Sequence, residues 1–215
     1  RSSKSTALKT TPVQRIFPYT AKGTSPLFDP FPAKIQAKMR YTTTKALPVT
    51  ISGTVSPYIF SANGIFDPDV SGLGHQPYGH DTYQTIYNHY SVQSATITMT
   101  PTNGNQCIFG ITLTDDTTVN ASYDTVREVK TTRMGVNNGQ PNSSLSITKT
   151  YNRDQIYQKG SQKDVTSLFG ARPADQQYFH CWAEGILDNV TVTPTFLFTI
   201  TYVVDMWELK DLGQS

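Results

Sequence analysis

Apolar and polar residues alternate along much of this chain, and that two-residue period is typical of half-buried β-strands rather than of helices. The first alternating segment begins at Lys34, where apolar side chains fall on one face as far as Tyr41 and basic side chains fall on the other. Seven further segments carry the same signal. The eight predicted strands cover residues 34–41, 50–61, 95–100, 107–113, 126–134, 145–151, 178–184 and 190–209.

One short helix is predicted between the second and third strands. Residues 62–79 read as a long loop rich in Gly, Pro and Asp, and Asp81 follows as a candidate N-cap with Gln84 three residues later. Aromatic and apolar residues then recur from Tyr83 to Tyr90 at the spacing of one helix face. We therefore predict an amphipathic helix over this stretch.

The order of these elements favours an all-β fold. The chain has no repeating βαβ pattern, which disfavours parallel α/β folds. An eight-stranded antiparallel β-sandwich with short helices in its loops remains, and the jelly roll is its commonest form. Strand count alone also allows an immunoglobulin-like sandwich, but the long last strand and the inserted helix favour the jelly roll. We predict an N-terminal arm over residues 1–32, a jelly-roll domain over 33–211 and a C-terminal tail over 212–215.

Composition agrees with this fold and limits the chemistry. The 215 residues include 31 Thr, 12 Tyr and 10 Phe, which are the β-branched and aromatic types that suit strands. No apolar stretch approaches the roughly 20 residues that span a bilayer, so we predict no membrane insertion. The two cysteines, Cys107 and Cys181, have neither metal nor redox spacing, and we predict that both are free and buried.

Positive charge is concentrated at the N-terminus. Residues 1–45 hold nine basic side chains and one acidic one, a net +8, while the other 170 residues hold nine basic and fifteen acidic, a net −6. This asymmetry predicts a polyanionic partner that one end of the chain contacts. The candidate nucleic-acid-binding residues are Arg1, Lys4, Lys9, Arg15, Lys34, Lys38 and Arg40.

Motifs for catalysis and metal binding are missing from the sequence. The four histidines have no HxH or HExxH spacing, and neither a GxSxG elbow nor a phosphate-binding glycine loop occurs. Asp67 and Asp69 could offer oxygen ligands to calcium, but nothing resembling an EF-hand supports such a site. We predict no catalytic residues, no metal site, no cofactor and no enzymatic activity.

Three segments of the chain are distinctive, and the first is residues 63–81, NGIFDPDVSGLGHQPYGHD. This segment resembles an extended loop that leads into a short helix in coat proteins of circular, replication-initiator-encoding single-stranded DNA (CRESS-DNA) viruses. Residues 201–211, TYVVDMWELKD, are similar to the final strand of circovirus coats, and residues 149–157, KTYNRDQIY, to a strand followed by a surface loop. The N-terminus departs from that family, because circovirus coats open with a dense Arg-rich arm. We expect such a segment before Arg1 in the full-length reading frame.

The resemblance implies a viral jelly-roll capsid protein of a circovirus-like virus. About 60 copies would close an icosahedral T=1 shell around circular single-stranded DNA. It also implies location in the virion, with assembly in the host nucleus; the host receptor stays open. Aromatic residues and Met are enriched at interface cores, so exposed ring-bearing side chains are candidate subunit contacts. These candidates are Tyr58, Phe66, His75, Tyr78, Phe169 and Trp207.

Two other functions remain open on the sequence. A coat protein of a small RNA virus with the same fold would package a polyanion by the same chemistry. A monomeric jelly-roll carbohydrate-binding module is the alternative from a different class, although the basic N-terminus speaks against it.

Overall fold

Nine β-strands and three short helices are formed by the residues that the computed structural model describes, which are 31–47, 49, 55, 57–118, 122–139, 145–157, 165–186 and 192–211. The strands are β1 Lys34–Ala46, β2 Tyr58–Ser61, β3 Tyr87–Pro101, β4 Cys107–Thr114, β5 Thr132–Asn137, β6 Ile147–Asn152, β7 Thr166–Leu168, β8 Tyr178–Gly185 and β9 Thr195–Leu209. The helices are α1 His80–Ile86, α2 Tyr123–Glu128 and α3 Arg153–Ile156.

The strands form two antiparallel sheets. In the five-stranded sheet the order is β1-β9-β3-β6, and β7 pairs with β3 beside β6; in the four-stranded sheet the order is β2-β8-β4-β5. The pairs are nested along the chain: β1 with β9, β2 with β8, β3 with β6 and β4 with β5. One long ribbon rolled into a sandwich gives this nesting, which is the jelly-roll arrangement. The predicted fold class is confirmed, and the topology decides against the immunoglobulin-like alternative.

The main core lies between the two sheets and is rich in rings. Its inward side chains come from alternate positions of the long strands, because successive residues of a strand face opposite sides. The largest fully buried members include Tyr41, Tyr202, Phe60, Phe109, Phe179, Phe196 and Phe198. A second, smaller cluster contains Val55, Tyr123, Val126 and Trp182, so α2 packs against β8.

Helix α1 is shorter than predicted, because Tyr87 and Tyr90 belong to β3. Both rings are buried in the core, and β3 pairs with β9 along its whole length. The many hydrogen bonds between β3 and β9 outweigh a helical spacing that extends over only about two turns, from Tyr83 to Tyr90. Gly79 rather than Asp81 is the N-cap, in a left-handed conformation at φ 87°, and the Asp81 carboxylate instead contacts Nδ1 of His80 at 3.0 Å.

The predicted strand over residues 126–134 is wrong in its first half. Tyr123 and Val126, three residues apart, bury one face of α2, and β5 begins only at Thr132. A short apolar segment fits both the helical and the strand period, so the sequence pattern alone does not choose between them. The contact with Trp182 favours the helix. Strand β7 was not predicted, because three residues are too few to reveal a period. Of the predicted strand 50–61, residues 58–61 form β2, while residues 50–54 and 56 lie outside the described part.

Both cysteines are free and buried, as predicted. Burial raises the pKa of the Cys107 thiol to about 12 and that of Cys181 well above its usual range, so both stay protonated at neutral pH. Among the described residues, no helix has the length and apolar character needed to cross a membrane.

Candidate nucleic-acid interface

Strand β1 forms one edge of the five-stranded sheet and carries a basic outer face. Its side chains alternate as predicted: Met39 and Tyr41 are buried, whereas Lys34, Lys38 and Arg40 are exposed on the opposite side. Because β9 pairs with β1 through the whole of β1, the outer positions of both strands belong to one continuous surface.

The three cations on this face differ in their surroundings. The Lys34 ammonium lies 3.1 Å from the Asp205 carboxylate, which also accepts hydrogen bonds of 2.9 Å from Gln36 and Gln93. Much of the Lys34 charge is therefore compensated within the chain. Lys38 and Arg40 have no acidic partner among the described residues, so their charges are available to an external anion.

Next to these cations the sheet presents rows of hydroxyl groups, which we call the threonine face. One row runs across four strands, and the next begins with Arg40 and continues through three threonines. Hydroxyl pairs join β3 to β6, with oxygen separations of 3.1 Å in one row and 3.3 Å in the other. The first row is Thr42, Thr199, Thr98 and Thr148, and the second is Arg40, Thr201, Thr96 and Thr150. Neither row contains an acidic side chain, so the surface donates hydrogen bonds without repelling phosphates.

The sequence contained the signal for the threonine face, since threonine occupies alternate positions in each of the four strands. Its assembly into rows depends on the pairing of β1 with β9 and of β9 with β3, which lie far apart in the chain. The composition therefore predicted strands, but it did not predict this surface.

A loop segment lies beside β1 and makes a groove with it. The Tyr78 amide donates to the Arg40 carbonyl at 3.1 Å, and the His75 ring packs on Tyr41 with ring centroids 4.6 Å apart. The groove has a volume of about 680 Å³ and is lined by Lys38, Met39, Arg40, Thr42, His75, Gln76, Tyr78 and Thr201. It thus brings two residues predicted to contact nucleic acid together with two predicted to contact a subunit.

Asp69 anchors the loop behind this groove. Its buried carboxylate contacts the Lys45 ammonium at 3.0 Å and accepts hydrogen bonds from the Tyr58 hydroxyl at 2.5 Å and the Ser71 hydroxyl at 2.6 Å. Burial acts to raise the pKa of Asp69, but the hydrogen bonds from Ser71, Tyr58 and Lys45 outweigh it and hold the pKa below its usual value. Contact with the Tyr58 hydroxyl, followed by contact with the Asp69 carboxylate, raises the pKa of Lys45 despite its partial burial. Lys45 therefore belongs to the scaffold rather than to the basic face.

Glycine is required where the loop approaches the anchor. A Cβ on Gly74 would lie 2.6 Å from the Asp69 Cβ and 2.9 Å from the Tyr41 hydroxyl. A larger residue would displace the segment that carries His75 and Tyr78 along β1.

The other predicted site residues have varied surroundings. Phe169 is buried between His80 and Tyr90, so its ring packs inside the chain. Trp207 is half-buried and stacks on His89, with the two ring centroids 5.8 Å apart. Phe66 is half-buried near His80. Tyr58 is engaged by Asp69, whereas Tyr78 is 92% exposed. The arm candidates Arg1, Lys4, Lys9 and Arg15 lie outside the described residues.

Within the described ranges, no group of three or more His, Cys, Asp or Glu side chains is placed to hold a metal ion. The groove and the threonine face therefore offer cations, hydroxyls and an exposed ring, but no ligand cluster.

Comparison with solved structures places this fold among those of small viruses. The Cocksfoot mottle virus structure aligns with a TM-score of 0.54 at 10% identity, covering 82% of this chain and 96% of that one. The Mud crab tombus-like virus structure aligns with a TM-score of 0.50 at 8% identity, covering 89% and 96%. The 60-mer BFDV capsid protein aligns with a TM-score of 0.48 at 10% identity, covering 86% of this chain and 100% of that one. No protein-family model and no curated protein matches the chain. At these identities the likeness shows the fold, a jelly roll of the viral type.

Proposed function

We propose that this chain is a viral coat protein that assembles in many copies and packages single-stranded nucleic acid against the outer face of its five-stranded sheet. The observation that carries the proposal is the combination of Lys38 and Arg40, without acidic partners among the described residues, with an acid-free threonine face. This surface belongs to a fold shared with two virus structures.

The chemistry of this face suits a backbone contact. Ammonium and guanidinium groups neutralise phosphates, and threonine hydroxyls donate to phosphate oxygens without reading base sequence. Binding of this kind is tolerant of sequence and sensitive to salt. Tyr78, exposed at the groove, offers a ring on which one base can stack. No covalent step is needed, and the proposed role is structural rather than enzymatic.

The loop beside the groove also supports contact between copies. Leu73 is 85% exposed and Tyr78 is 92% exposed, and they are only five residues apart. Two large, strongly exposed side chains on one loop make this loop a candidate contact for another chain. In the proposed shell, a T=1 particle of about 60 copies, this loop meets a neighbouring subunit.

Single-stranded DNA as the packaged polymer and the virion as the location follow from the sequence resemblance. Nuclear assembly is an expectation on the same basis. A coat that packages RNA would use the same surface, so the polymer is identified by extracting it from purified particles and digesting it with DNase or RNase.

Particle formation is tested first. Electron microscopy and size-exclusion chromatography of the purified chain should give shells of about 1.4 MDa, since each chain has a mass of 23.9 kDa and about 60 are expected. A monomer of 23.9 kDa in near-neutral buffer would contradict the proposal and favour the carbohydrate-binding alternative.

The basic face is tested by paired variants. We expect Lys38→Ala/Arg40→Ala particles to form but to hold less nucleic acid, measured as the ratio of absorbance at 260 and 280 nm. The matched control is Lys34→Ala, whose effect should be smaller because Asp205 already compensates that charge. Equal nucleic-acid content in the double variant and the unmodified chain would remove this face from the proposal.

A further inference from the structure

A second cavity lies at the other edge of the sandwich, away from β1, and we call it the edge cavity. It has a volume of about 670 Å³, within the range of small-molecule sites. Its walls come from the end of β4, from β8, from β6 with α3, and from the turn between α2 and β5. Six of its lining residues carry the argument: Lys130, Thr131, Lys149, Gln155, His180 and Trp182.

Two polar atoms in this lining are buried without a partner among the described residues. They are Nε2 of His180, a residue only 6% exposed, and the hydroxyl oxygen of Thr131. Burial lowers the pKa of His180, which therefore stays neutral at pH 7, and its ring has a hydrogen bond to the Asp116 backbone. Because Nε2 is the nitrogen without a partner, it is free to accept a hydrogen bond. A buried acceptor of this kind destabilises the fold unless something donates a hydrogen bond to it.

The cavity also holds cationic charge that is not compensated nearby. Lys149 is half-buried, and burial together with the charge of Arg133 lowers its pKa. Neither Lys149 nor Lys130 forms an ion pair among the described residues. Asp115 is the acidic side chain in the described lining, so the cations outnumber it.

An apolar wall completes the cavity. Val55, Val126 and Trp182 belong to the small second core cluster, and the Trp182 indole N–H donates to the Thr112 hydroxyl at 3.2 Å. This hydrogen bond fixes the ring, so the wall is rigid. A ligand here meets an apolar surface on one side and amide groups such as that of Gln155 on the other.

We propose that the edge cavity binds a small organic anion. Lys149 and Lys130 hold its phosphate or carboxylate, its ring lies against the apolar wall in which Trp182 is buried, and one of its hydroxyl or amino groups donates to Nε2 of His180. Nucleoside monophosphates and acidic sugars both have this chemistry. The proposal is separate from the coat function, because the cavity shares no lining residue with the groove beside β1 and meets the threonine face only at Thr150.

Calorimetry on the full chain tests the proposal with four probes: adenosine monophosphate, glucuronic acid, inorganic phosphate and uncharged adenosine. We expect saturable binding of at least one of the two organic anions, and at least roughly tenfold weaker binding of both phosphate and adenosine. The organic anion that binds more tightly shows whether the cavity takes a nucleoside monophosphate or an acidic sugar. Absence of saturable binding of either organic anion up to about 10 mM would overturn the proposal.

Two variants locate the binding. Lys149→Met should weaken it by roughly tenfold, whereas Lys210→Met, which removes the same charge from a residue outside the cavity lining, should leave it within about twofold. His180→Asn retains a donor near the position of Nδ1 and removes Nε2, and should also weaken binding. Unchanged affinity in Lys149→Met would exclude this cavity.

Trp182 gives an independent readout in case a variant folds poorly. The chain has only two tryptophans, so Trp207→Phe leaves Trp182 as the sole indole reporter. Ligand binding should change its emission, with the same midpoint that calorimetry gives. Emission that stays constant through a calorimetric transition would place the ligand elsewhere.

Discussion

At the scale of single residues, the packing of the second core cluster depends on the absence of one side chain. Gly110 lies on β4 directly beneath the indole of Trp182, and a Cβ there would overlap the ring. The indole is fixed by its hydrogen bond to Thr112 and cannot retreat without losing it. A glycine in the middle of a strand, which costs stability by itself, is explained by this close approach.

We therefore predict that Gly110→Ala lowers the free energy of unfolding by about 1–3 kcal/mol, the usual cost of overpacking. Urea denaturation followed by tryptophan emission measures the change. Gly104→Ala is the control. Its Cβ would lie 3.4 Å from the Gly139 carbonyl oxygen, so the neighbouring backbone would have to move little or not at all. Equal stability losses in the two variants would argue against the close contact.

Asp69 is the other residue whose substitution has a predictable cost. Asp69→Asn leaves Lys45 without its buried counter-charge, and we expect the free energy of unfolding to fall by roughly 3 kcal/mol. Asp124→Asn, which breaks an exposed pair with Arg127, should cost below about 1 kcal/mol. Urea denaturation of both variants at pH 7 makes the comparison.

The pH dependence follows with a definite sign. The pKa of Asp69 is lower in the folded chain than in the unfolded one. The contribution of Asp69 to the free energy of unfolding is therefore complete above the pKa of the unfolded chain, and it is lost as the pH falls through the pKa of the folded chain. The unmodified chain should therefore lose more stability below about pH 4 than Asp69→Asn does. Parallel acid titrations of the two chains would contradict this assignment.

The same residues mark what the sequence could and could not reveal. Alternation predicted the outer positions of Lys38 and Arg40, because it is a local property of the strand. It could not reveal that Lys34 meets Asp205 across the sheet or that Lys45 meets Asp69 in a loop, since both contacts join distant parts of the chain. Four of the nine N-terminal cations, Lys34, Lys38, Arg40 and Lys45, looked equivalent in the sequence. In the structure, Lys34 and Lys45 each have an acidic partner, whereas the charges of Lys38 and Arg40 remain available to an external anion.

At the scale of elements, the long strands were predictable, whereas the short elements α2 and β7 were not. Strand β9 has fifteen residues, and its alternation runs far enough to exclude a helix. Helix α2 and strand β7 have six and three residues, and each forms where it can pack or pair: α2 against Trp182, β7 against β3. The groove beside β1 was unpredictable for a similar reason, because a loop without a period forms half of it.

The loop that carries Tyr78 gives a prediction at this scale. Tyr78→Ser should change the melting temperature of the subunit little, since a residue that is 92% exposed contributes within about 0.5 kcal/mol. If the loop meets a neighbouring copy, the same change should lower the yield of particles seen by size exclusion. The buried ring of Phe169 supplies the contrast: Phe169→Ala should destabilise the subunit by about 3 kcal/mol or more. Full particle yield from Tyr78→Ser would remove the loop from the proposed interface.

At the scale of the whole molecule, the charge available for the proposed packaging role is smaller than the sequence suggested. The net +8 of residues 1–45, multiplied by about 60 copies, would neutralise on the order of 500 phosphates. Lys34 and Lys45 are compensated inside the chain, which leaves two cations on the sheet and five in residues 1–30. Packaging a kilobase-scale genome, as proposed, would need more positive charge than this, and small cations could supply it.

This division of charge predicts the salt dependence of nucleic-acid binding. For single strands, the slope of log K against log salt is about −0.7 for each phosphate contact, so Lys38→Ala/Arg40→Ala should reduce its magnitude by about 1.4. Removing residues 1–30, with their five cations, should reduce it by about 3.5, since those side chains would contact phosphates as well. Titration of a labelled oligonucleotide at several salt concentrations measures both changes. If the truncation changes the slope less than the double substitution does, the arm is not the main phosphate-binding segment and the sheet face is.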